Sequence, residues 1–141
     1  MRAALGIAIA GLLSLSVALG GDSKSDLEKL QGKWAAEADG KKLEMTFNKN
    51  SFALTISGDN KELIVKGVIK VDSSKNPKHM DLSIQEGGKH VGKTAEAIFA
   101  LEGDNLNWCA TEPGEGNRPT EFPKEQGTTN GRLFLIFKRA K

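Results

Sequence analysis

Few residues in this chain carry side chains suited to catalysis. Its 141 residues contain two histidines, His79 and His90, and one cysteine, Cys109. A nucleophilic mechanism needs a hydroxyl or thiol beside a base, but both histidines fall in or beside turns, at KNPKH and GGKHVGK. Cys109 lies between Trp108 and Ala110 on a strand-like run, so it projects to the face opposite theirs. A packed or surface thiol is the plain reading. Two imidazoles and one thiol with no close spacing also fall short of any zinc pattern, so no metal site is assigned. The glycine-rich GEG and GGK stretches sit in hairpin loops rather than between a strand and a helix, which excludes a phosphate cradle of the usual kind.

The acids offer one more possibility. Glu112, Glu115, Glu121 and Glu125 crowd into one segment with Arg118, and a glycosidase would need two such carboxylates. Solvated acids around a base are the simpler account. The sequence therefore assigns no catalytic residue, no cofactor and no enzyme activity.

That acidic segment, which includes PGEGNRPTEF, belongs to a loop of more than twenty residues between Ala110 and Arg132. Loops of that length inside a small domain are usually functional or disordered. Pro113, Pro119 and Pro123 stiffen it. Phe122 is the only large apolar side chain of PGEGNRPTEF, and the expectation is that it docks the loop across a barrel mouth. Arg118 is expected to fix it there by pairing with Glu115 or Glu121. The loop would serve as a lid, or as a recognition loop for a ligand or partner.

The elements that hold this loop alternate with period two. Leu43, Met45 and Phe47 share a face, as do Phe52, Leu54 and Ile56, and then Met80, Leu82 and Ile84. AEAIFALEGDNLNWCA makes two strands around Gly103-Asp104, and RLFLIFKR closes the chain. ELIVKGVIKVD is longer, with Gly67 midway where a bend or bulge is expected. Ahead of these, SKSDLEKLQG reads as a short helix capped by Ser25 and stopped at Gly32. Eight strand candidates joined mostly by short loops, without a crossover helix, predict an all-β fold: an eight-stranded antiparallel meander closed into a barrel, with a short N-terminal helix.

Read consistently, the alternation turns Phe47, Phe52, Leu54, Met80, Phe99 and Trp108 inward as the candidate ligand-binding wall, together with Ile56, Leu82, Leu101 and Phe137. An eight-stranded barrel is wide enough either to be filled by its side chains or to hold one small ligand. The large side chains and short strands lean towards a filled interior, with a small apolar pocket as the alternative. Some strands are also apolar on their outer face, at Ile64 and Val68 and at Phe134 and Ile136. Such faces suit a homodimer or an envelope partner.

The opening twenty residues, MRAALGIAIAGLLSLSVALG, have the order of a secretory signal peptide: one charge, an apolar run, then small residues before a cut after Gly20. The expected mature chain is a single domain over residues 21–141, secreted or periplasmic, with no membrane insertion after cleavage. Removing Arg2 from the 20 basic residues leaves 19 against 18 acidic ones. So small an excess, scattered along the chain, excludes a nucleic-acid surface. One cysteine cannot form an internal disulfide, so burial alone must hold the fold.

Gly32-Lys33-Trp34, placed after a short helix at the start of the first strand, resembles the lipocalin group. In that group the tryptophan closes one end of the barrel under a basic residue from near the last strand. The resemblance implies that Lys138 or Arg139 covers Trp34 here, a stack contributing on the order of 0.5 to 2 kcal/mol. A wider resemblance runs through LQGKW, DGKKL, DSSKNPKHMDL, GKT, ALEGDNLNWC, PGEGNRPTEF and the terminal FKR. These are similar to the small exported domain of unknown function found in many copies in planctomycete bacteria, and that resemblance implies a lipocalin-like barrel without an assigned activity. Trp108 and Asn117 depart from that pattern.

Overall fold

The computed structural model describes residues 23–140; the expected signal peptide over residues 1–20 lies outside the described residues. Helix α1 (Ser23–Leu30) is followed by β1 (Gly32–Ala38), β2 (Lys41–Asn48), β3 (Ser51–Gly58), β4 (Lys61–Asp72) and β5 (Lys78–Glu86). Then come β6 (Thr94–Glu102), β7 (Asn105–Thr111), the three-residue β8 (Gly127–Thr129) and β9 (Arg132–Arg139). All neighbours pair antiparallel in the order β1-β2-β3-β4-β5-β6-β7-β9, and β1 pairs with β9, so the eight long strands close into a barrel. This is the predicted lipocalin-like meander, with β8 added along the free half of β9.

Alternation explains the wall. On β2 the residues Leu43, Met45 and Phe47 are buried, while Lys42, Glu44 and Asn48 are exposed. Asp39, with φ of 53°, and Gly40 form the tight β1–β2 turn that the Asp-Gly pair signals. At Gly67 the β4–β5 register shifts, and a Cβ there would collide with the Ser83 carbonyl oxygen. The expected bulge is present, and only glycine fits it.

One end of the barrel is closed. Trp34 and Leu30 are wholly buried there, and the Trp34 Nε1–H donates to the Leu30 carbonyl at 2.8 Å. The Arg139 guanidinium lies 4.1 Å over the Trp34 ring and donates to the carbonyls of Gln31 and Lys29. Of the two basic residues that the sequence offers, Arg139 takes the position; Lys138 is exposed. The helix starts earlier than expected, at Ser23, so Ser25 lies inside it rather than capping it. Ser23 instead accepts the Ser73 N–H with its hydroxyl. Asp26, 5% exposed, accepts from Lys78 at 2.7 Å and from the Ser73 hydroxyl. Burial alone would raise the Asp26 pKa, but these two donors and the Lys29 charge outweigh it, and the carboxyl is held below its ordinary value.

The closing seam is thin. Only Trp34↔Arg139 and Ala35↔Lys138 pair β1 with β9, where the other barrel strands share six to eight partners. Next to those two pairs the Ala140 N–H donates to the Lys33 carbonyl at 2.8 Å, and at the other end of the gap the Asp39 carboxylate, just after β1, accepts from the backbone N–H and hydroxyl of Thr128 on β8. Gln126 Oε1 accepts the Ile136 N–H of β9 at 2.7 Å.

Candidate functional site

Six of the long strands supply a cavity at the end opposite Trp34. Its volume is about 370 Å³, and Phe52, Leu82, Ala95 and Trp108 are the buried centre of its wall, flanked by the partly buried Val65 and Leu133. Leu54, Ile56, Ile84 and Ala110 continue it outward, and Leu63, His90, Glu112, Pro113, Thr128 and Arg132 ring its opening. The strand interiors contribute the apolar side chains, while the polar ones come from loops, at His90 and Glu112, and from strand ends or the short β8, at Thr111, Thr128 and Arg132. The volume falls at the lower end of the range for small-molecule sites.

The candidate wall residues divide between two zones. Phe52, Leu54 and Trp108 line the cavity. Phe47, Met80 and Phe99 are also buried but pack in the filled half, with Phe137 and Leu135. The filled interior that the large side chains imply thus describes the Trp34 end, and the alternative of a small apolar pocket describes the mouth. Val65 is missing from the expected wall although placing Ile64 and Val68 on the outer face turns it inward; because ELIV is apolar on both faces, only that parity marks it. His90 belongs to a turn, and nothing local to GGKHVGK places it at the rim.

Two buried side-chain nitrogens have no hydrogen-bond partner among the described residues: Trp108 Nε1 and His90 Nδ1. Both residues line the cavity. Trp108 is 4% exposed and meets the Phe137 ring edge to face at 5.9 Å, so it separates the filled half from the hollow one. His90 turns its other nitrogen towards Glu112, 3.9 Å away. A buried donor without a partner is uncommon, since the lost hydration goes uncompensated.

The long loop does not cover this opening as expected. Phe122 packs on Phe134 at 5.8 Å, on the outer wall of β9, with Ile98, Cys109 and Ile136 in the same cluster. Nor does Arg118 pair with Glu115 or Glu121, both of which are exposed. It donates to the Ala97 carbonyl at 2.8 Å and the Met80 carbonyl at 3.4 Å, and it binds the Asp81 carboxylate with Glu96 3.5 Å away. Asp81 and Glu96 are direct cross-strand partners. Two like charges in that position repel, and Arg118 relieves them. Pro119, fully buried, completes a strap down the outside of the barrel. The physical reason is that the outward Phe134 and Ile98 need cover that the barrel interior cannot give. Phe134 is accordingly not a free face for a partner, whereas Ile64 and Val68 on β4 are exposed.

Cys109 is wholly buried under this strap, and burial pushes its thiol pKa up despite the Arg132 charge. A thiol so placed is a poor nucleophile. Burial, followed by the Arg118 and Lys75 charges, lowers the His79 pKa and favours the neutral ring. Among the described residues no cluster of three or more histidine, cysteine or carboxylate side chains could hold a metal ion. No family model, curated protein or solved structure matches this chain.

Proposed function

We propose that the protein is an exported binding barrel that holds a small apolar molecule in the mouth cavity, without catalysing a reaction. The observation that carries this reading is the division of one barrel into a filled half and a hollow, apolar half of about 370 Å³. Side chains large enough to fill the mouth are plentiful in this chain, yet small Ala95 and Ala110 stand on its wall. The outer strap leaves the opening uncovered, which gives a ligand access. Export is supported by the signal-like first twenty residues and by the resemblance to small exported planctomycete domains.

The test is native mass spectrometry of the protein from its own envelope fraction, compared with its denatured mass. A carrier is expected to show extra mass that is lost on denaturation. A bare protein that also fails to bind an apolar fluorescent probe would sink the reading.

A second reading, a structural or interaction module of the envelope, is favoured by one observation. Ile64 and Val68 are 43% and 38% exposed on the same outer face of β4. Light scattering separates the two readings: a dimer disrupted by Val68→Lys supports the module, and a monomer without a partner opposes it.

A further inference from the structure

We propose that the cavity selects a neutral apolar molecule carrying a hydrogen-bond acceptor, such as a ketone, ester or ether oxygen, at its buried end, where Trp108 Nε1–H donates to it. The inference rests on the binding-barrel reading and specifies its ligand class.

The argument begins with the two tryptophans. Both are almost completely buried, yet they differ in one atom. Trp34 Nε1–H is satisfied by the Leu30 carbonyl, as a structural tryptophan requires. Trp108 Nε1–H has no partner among the described residues, although Trp108 is only 4% exposed and lines the cavity. In a wall otherwise made of Phe52, Leu54, Val65 and Leu82, a phenylalanine would meet the packing need without leaving a donor unmatched. An indole there is accounted for if the ligand brings the acceptor.

The charge of that acceptor follows from the surroundings. No cationic side chain stands among the buried wall residues; Arg132 and His90 are at the rim. A carboxylate placed deep would lose its hydration against one neutral donor, which is a large net cost. A carbonyl or ether oxygen loses far less. The rest of the ligand would run outward along Leu54 and Ile56 to the exposed Leu63, so its tail is apolar.

The experiment measures displacement of an apolar fluorescent probe by decane, its methyl ketone analogue and decanoate, on wild-type protein and on Trp108→Phe. The ketone is expected to bind about five- to tenfold tighter than the alkane, the factor of a single net hydrogen bond, and the variant should lose that preference while still binding decane. Because the variant tests folding as well, indole N–H NMR of the wild type provides an independent readout. The Trp108 signal should shift with ketone but not with decane, while Trp34 stays fixed. Equal binding of ketone and alkane, or an unmoved Trp108 signal, overturns the acceptor inference and leaves the apolar cavity standing. Tightest binding of decanoate overturns its neutrality. If none of the three displaces the probe, the binding-barrel reading itself falls, and this inference with it.

Discussion

Leu133 and Leu135 project into the same barrel from one strand, two residues apart. Leu135 is wholly buried next to Trp108, whereas Leu133 is only partly buried on the cavity wall. The same contrast runs across the sheet. Ala97 is sealed within the closed half, and Ala95, its neighbour on the inner face of β6, borders open space. A single hydrophobic pattern therefore builds two zones with different physical duties: the Trp34 end supplies stability, and the mouth gives up close packing for volume. Atoms lining a void lose dispersion partners, so side chains at the mouth contribute less to stability than their chemistry suggests.

The largest effect should come from the centre of the closed end. Trp34→Ala removes the Arg139 stack, the Leu30 hydrogen bond and the plug at once, and should cost about 3–5 kcal/mol in urea unfolding. If the loss is under about 1 kcal/mol, the closed end is not the stabilising half. The two leucines sharpen the contrast further. Leu135→Ala should cost roughly 2–4 kcal/mol and Leu133→Ala roughly half as much or less, because the second side chain already borders a void. Equal costs would mean that the mouth is as tightly packed as the base.

Asp26 tests the base through pH. Its carboxyl titrates lower in the folded protein than in the unfolded chain, so its contribution is complete above the ordinary aspartate value of 3.8 and is lost as pH falls through the folded value. Asp26→Asn should cost about 1.5–3 kcal/mol at neutral pH and should flatten the acid limb of the stability curve. A variant with the same acid limb as wild type would place the acid sensitivity elsewhere. The smallest stability effect is expected at the mouth. Ala95→Leu grows into the cavity and should change stability by less than about 1 kcal/mol while abolishing probe binding, whereas Ala97→Leu should overpack and cost about 1–3 kcal/mol. Thermal melts of the pair, read beside probe fluorescence, check both halves.

Much of this architecture is legible in the sequence. Period-two alternation places Phe47, Phe52, Met80, Phe99 and Trp108 inward, and short turns fix the meander, because each strand's inner face must be apolar while its outer face meets water. The division between filled and hollow is not legible. It depends on which side chains the small Ala95 and Ala110 meet on the neighbouring strands, Leu82 and Leu133 among them, which is a matter of register and not of local pattern. The position of the strap escapes the sequence for a related reason. Local pattern marks Phe122 as an anchor without naming its dock, and the outer side of β9 presents the larger unmet apolar surface in Phe134 and Ile136. A signal for Arg118 does exist: two acids, Asp81 and Glu96, on the outward faces of adjacent strands call for a cation above them. Finding it requires the β5–β6 register.

The grip of Arg139 on the carbonyls of Gln31 and Lys29 joins positions 108 and 110 residues apart. Contacts of such separation close a loop that spans most of the described residues and raise contact order, which slows folding. Until β9 leaves the ribosome it cannot be locked to β1, and the growing sheet has two open edges that invite pairing with other chains. The same arrangement brings the two ends of the barrel chain together. A short linker across them, with new termini opened in an exposed turn such as Asp59-Asn60, would turn the slowest contact into a local one and should speed barrel closure.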